Sequence, residues 1–150
     1  MLSMLAETSD TSLPELPDYV RAQGRLRLAF GKGAKSTRVA ELSESGGFRI
    51  KFPTTADETA EAIIVNTAGG MTGGDVLKLE AEFREGARAL VTTQAAEKIH
   101  RSLAGETHVS TLLKAGVDAH AVWAPQETIL YDGARLTRSL EAEIDPNATA

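Results

Sequence analysis

The chain has 150 residues, 42% apolar and 25% charged, with no cysteine and a formal net charge of −5. That length suits one domain burying about 70% of its unfolded surface, and the acid excess argues against nucleic-acid binding, which needs surplus Lys and Arg. Without cysteine there are no disulfides, thiolate metal sites or thiol nucleophiles.

No apolar run reaches the roughly 18 residues a membrane span needs. MLSMLA lacks the basic n-region of a signal peptide, so the cytoplasm is the expected compartment. Residues 1–17, rich in Ser, Thr and Pro, read as a flexible leader. Asp18 is placed to cap one short turn, YVRAQ, ending at Gly24.

From there alternation with period two takes over. Leu26, Leu28 and Phe30 alternate with Arg25, Arg27 and Ala29, as in a half-buried strand. Gly31 to Ser36, GKGAKS, lacks the upstream glycine of a phosphate-binding loop and reads as a hairpin turn with solvated lysines. Leu77, Leu79, Ala81 and Phe83 alternate with Lys78, Glu80 and Glu82. Leu136, Leu140, Ala142 and Ile144 repeat the pattern with Arg138 as the exception. Short strands between glycine turns predict an all-β architecture. EFREGARALVTTQ also echoes TLLKAGVDAHAVWAPQ, with Gly86 and Gly116 30 apart and Gln94 and Gln126 32 apart. Such a repeat predicts successive coils of a β-helix, or solenoid.

After the apolar run AIIV comes NTAGGMTGGD, residues 66–75. A P-loop would need a lysine after Gly74, where Asp75 stands, and the following VLKLEAEF has a strand period. No nucleotide site is expected. The glycines supply turns, and Asp75 either bonds neighbouring amides or presents an acid to a ligand. His100, His108 and His120 form no metal-binding pair by spacing, and His120, between alanines, reads as packed or half-exposed. Glu97 and His100 would share a face only on a helix. The run TTQAAEKIHRS (92–102) is either a solvated strand and turn or a polar surface lining a channel or meeting another protein. Glu127 and Asp132 form a carboxylate pair that a β-helix carbohydrate enzyme could use, which is the alternative reading from another function class.

NTAGGMTGGD, VTTQAAEKIHRS and WAPQETILYDGARLTR, in this order, resemble the urease accessory protein UreD family over roughly residues 20–142. The resemblance implies a β-helix-like fold and no catalysis. It implies a cytoplasmic scaffold that binds urease apoprotein and the accessory proteins UreF and UreG and assists nickel insertion. UreG is the GTPase of that system. By the same resemblance Asp75, Thr92, Thr93, Gln94, Glu97, Lys98, Arg101, Ser102 and Glu127 line a channel or meet a partner. Asp75, Glu97 and Glu127 are then the expected transient nickel contacts, tuned by Lys98, with no cofactor tightly bound and no membrane or nucleic acid among the partners. His100 stands where the family more usually has an aromatic. The chain corresponds to the N-terminal part of a family member, so residues 18–150 are expected to be part of one truncated all-β domain. An inert fragment is the remaining alternative.

Overall fold

The computed structural model describes residues 21–55 and 58–150, so the expected leader and the Asp18 cap lie outside it. Eleven strands and no helix make up the described residues. They are β1 (Gln23–Lys32), β2 (Thr37–Ser45), β3 (Phe48–Lys51), β4 (Ala60–Asn66), β5 (Val76–Phe83), β6 (Arg88–Thr93), β7 (Glu97–Ile99), β8 (Thr107–Ala115), β9 (His120–Ala124), β10 (Thr128–Leu130) and β11 (Leu136–Ile144). The all-β expectation holds. The expected turn ending at Gly24 does not form over its described part. Gln23 and Gly24 already pair in parallel with Val76 and Leu77, and one isolated helical turn cannot repay its nucleation cost against that pairing.

Three sheets form, ordered β11-β8-β5-β1-β2, β3-β4-β6-β9 and β10-β7. The two larger ones are mixed, which corrects the expectation of a uniform solenoid. β1 turns back antiparallel onto β2, and β3 pairs antiparallel with β4, whereas the other neighbours run parallel. The first reversal is the GKGAKS turn, closed by Gly33 N donating to Ser36 O at 2.9 Å.

The repeat is real in pairing but two residues longer than the glycines suggested. Phe83 pairs with Ala115, not Leu113, and Ala89 pairs with Ala121, not Ala119. The spacing of Gln94 and Gln126 carries the true register. A slip of two residues keeps every side chain on its own face, so hydrophobic pattern alone cannot detect it.

The core lies between the five- and four-stranded sheets. Inward residues from β1 and β5 (Leu26, Leu28, Phe30, Leu79, Ala81, Phe83) meet Phe48, Ile50, Ala62, Ile64, Ala89 and Val91 opposite. Met71 and Ile99 are buried with them. Phe30 and Phe83 are cross-strand partners with ring centroids 5.4 Å apart, and each buried side chain of this size contributes about 1.5–3 kcal/mol. A bulge between Ala29 and Phe30 shifts the register to β2 and leaves both residues buried.

Cover thins steadily toward β11. Along one inward row Leu26, Leu79, Thr111 and Leu140 are 1%, 4%, 7% and 55% exposed. The row Phe30, Phe83, Ala115, Ile144 ends the same way, with Ile144 48% exposed. The apolar face predicted for β11 therefore exists, but it is the uncovered end of the core.

Candidate functional site

The glycine-rich loop 66–75 lies against residues 98–105. Met71 N donates to Lys98 O at 2.8 Å, His100 N donates to Met71 O at 2.7 Å, and the Thr72 hydroxyl donates to Arg101 O at 2.9 Å. This contact explains Gly73, because a Cβ there would lie 1.9 Å from Ser102 Oγ and 2.5 Å from Ala104 O. Gly74 follows at φ +90°, a region that favours glycine. Asp75 then begins the approach to β5 with its side chain buried. Its Oδ1 accepts from Ala22 N and its Oδ2 from Thr72 N, both at 2.8 Å. The carboxylate fastens the lead-in of β1 to the loop, as the amide-bonding alternative foresaw.

A cavity of about 430 Å³ opens toward the end of the sheets where β9, β10 and β11 lie. Leu77, Val109 and Leu140 line one side and Ile64 and Trp123 another, while residues 93–98, Pro125, Gln126 and Thr128 close it. Glu97 is the one carboxylate in that lining. Asn66 Nδ2 donates to its Oε1 at 2.9 Å. Burial raises the Glu97 pKa above its ordinary value, against the opposing influence of the Asn66 bond, the Lys98 amide and the charges of Arg138 and His100. Arg138 reaches into the same space and donates from Nη2 to Thr128 Oγ1 at 2.8 Å.

Hydroxyls tie successive passes of the chain together around this cavity. Thr92 donates to Ala124 O at 2.6 Å, and Thr93 accepts from Gln126 N at 2.9 Å. The backbone continues the tie, with Gln94 N donating to Ile64 O and Glu97 N to Glu127 O.

The expected site residues thus separate into groups. Thr93, Gln94, Glu97 and Lys98 line the cavity, and Thr92 braces it. Arg101 and Ser102 belong to the loop contact, Arg101 in a bridge with Ala134 and Ser102 donating to Gly105 O at 2.7 Å. Asp75 lies outside the cavity lining, and Glu127 is exposed, meeting Glu97 through its backbone only. Among the described residues no three His, Asp or Glu side chains are grouped to hold a metal ion. Glu127 and Asp132, the carbohydrate-enzyme pair, are both exposed and neither lines this cavity. His100 stacks on Tyr131 at 5.1 Å, while His120, read as packed or half-exposed, is exposed at the start of β9.

Asn66, Thr128, Trp123 and Arg138 were missed. Arg138 carried a signal: it broke the strand alternation because it faces inward, opposite Val109, where an apolar residue was due.

Among the described residues no helix is long and apolar enough to cross a membrane. The family model for the UreD urease accessory protein matches residues 22–150. The urease accessory protein UreD of Rhizobium johnstonii is 45% identical over 128 residues, covering 85% of this chain and 47% of the relative. That of Methylobacterium sp. (strain 4-46) is 44% identical over 136 residues, covering 90% and 48%. That of Chelativorans sp. (strain BNC1) is 42% identical over 129 residues, covering 86% and 47%. The chain spans about half the length of the curated relatives it matches. With the match running through both the glycine loop and the cavity, this chain belongs to the UreD urease accessory protein family.

Proposed function

We propose that the chain acts in urease maturation as a non-catalytic cytoplasmic scaffold that binds urease apoprotein with UreF and UreG and assists nickel insertion. The observation that carries this reading is the cavity with Glu97 as its one carboxylate, among hydroxyl and amide oxygens. Such oxygen donors suit a metal cargo in passing rather than a resident ion. Two features favour release. Burial favours the protonated form of Glu97, so protons compete with a bound cation. Arg138 and Lys98 line the same space and repel a cation that lingers. Asp75, with both oxygens held by amides, serves the loop's shape in this reading, and Glu127 serves through its backbone.

The test is urease activation in cells that express urease with its other accessory proteins, with and without this chain. Activation that depends on the chain, and that falls in Glu97→Gln at unchanged protein abundance, supports the proposal. Full activation without the chain refutes the maturation role. Full activation by Glu97→Gln refutes only the part given to the carboxylate.

A further inference from the structure

The outer face of the five-stranded sheet carries a row of directly paired residues: Ser45, Arg25, Lys78, Ser110 and Ser139. Arg25 and Lys78 are exposed cations on adjacent strands, opposite each other. The next row toward the strand starts adds Gln23 and the exposed His108 and contains no acid. On its other side the charges are balanced. Arg27 lies 3.9 Å from Glu41 and 3.8 Å from Glu80, and Lys114 lies 3.2 Å from Glu80.

Among the described residues neither the Arg25 nor the Lys78 side chain has an ion-pair or hydrogen-bond partner, and Glu80 is already shared by two other cations. Glu106, near the rim, accepts from the Thr137 hydroxyl at 2.7 Å, and Glu141 stands on β11 one row away. Like charges on directly opposed residues cost stability. Folding therefore does not account for this pair. Arg25, Lys78, Ser110 and Ser139 instead form one side of a shallow concavity of about 880 Å³, whose other side carries Arg27 with Glu41 and Glu80, and Glu141.

We propose that this shelf docks an acidic segment of a partner polypeptide, its carboxylates meeting Arg25 and Lys78 and accepting from the hydroxyls of Ser110 and Ser139. The row continues strand by strand at the spacing of about 4.8 Å between neighbours, so it presents several donors in line rather than a pocket for one ion. A small anion on so open a face would be held weakly. Several linked carboxylates would be held together.

The test uses the full chain and fluorescein-labelled hexaglutamate, read by fluorescence anisotropy at low ionic strength. Arg25→Gln/Lys78→Gln is expected to weaken binding roughly tenfold, as the loss of two exposed charge pairs. Lys35→Gln/Arg88→Gln, with the same change in net charge at another exposed site, is expected to leave it nearly unchanged. Equal losses in the two double variants would overturn the proposal as generic charge attraction. Full displacement of the peptide by millimolar inorganic phosphate would overturn the polypeptide assignment in favour of a small oxyanion. The melting temperature of Arg25→Gln/Lys78→Gln should equal or exceed that of the parent, and a fall of several degrees would reassign the pair to folding.

Discussion

Asn66 Nδ2 donates to Glu97 Oε1 at 2.9 Å, joining the first residue of the glycine loop to the strand that supplies the cavity's carboxylate. A carboxylate, a carboxylic acid or an amide can each accept this bond, the carboxylate most strongly. Glu97→Gln therefore keeps the bond and removes the charge.

The pH dependence follows from the direction of the Glu97 shift. Its folded-state pKa is raised from the ordinary 4.5, so between the two values the folded chain holds more protons than the unfolded one. Stability then falls as pH rises through that window, and above it the ionised group carries the full penalty. Glu97→Gln should melt higher than the parent at pH 7, with the difference closing as pH falls below 4.5. Thermal melts of the two chains across pH 3–8 would show it. A parent that is the more stable at pH 7 would contradict the assignment.

Asp75 should behave as a structural acid. Asp75→Ala leaves the amides of Ala22 and Thr72 without their acceptor, at a cost of roughly 2 kcal/mol or more. Asp75→Asn retains one acceptor oxygen and should lie between that variant and the parent. Urea titrations would rank the three.

Gly73→Ala should destabilise by about 1–3 kcal/mol, because the new methyl meets Ser102 Oγ and the Ala104 carbonyl. Ser102→Gly, made in the same chain, should recover only part of the loss, since the carbonyl remains. Complete recovery would mean that the hydroxyl alone sets the constraint.

Thr107 is fully buried and its hydroxyl has no partner among the described residues. Thr107→Val is isosteric in outline and removes that unpaired group, so a gain of roughly 1 kcal/mol is expected. A loss measured by the same titration would point to a bonded water at the hydroxyl.

How much of this was legible depended on the range of the interaction. The alternation of Leu26, Leu28 and Phe30 announced β1 because each residue's face is set by its immediate neighbours. The turn at GKGAKS and the failure of NTAGGMTGGD as a phosphate loop were equally local. Pairing register was not local: Phe83 meets Ala115 rather than Leu113, and only the 32-residue spacing of Gln94 and Gln126 betrayed it. The cavity was legible in part, through TTQAAEK. Its acid is shifted chiefly by burial and held back by Asn66, 31 residues earlier, and by Arg138, 41 residues later, and no local pattern announces that these residues meet. Arg138 left a trace, as the one charged interruption of the β11 alternation.

The graded cover along the inward rows sets the order in which the fold opens. Leu26 and Phe30 are sealed on β1, whereas Leu140 and Ile144 face water on β11. Opening β11 exposes little new apolar surface, and opening β1 or β5 exposes the centre of the core. Amide hydrogens should therefore exchange fastest on the two edge strands, β11 and β2, whose inward Leu42 is also open to water, more slowly on β8 and slowest on β5 and β1, so that the molecule breathes from its edges inward.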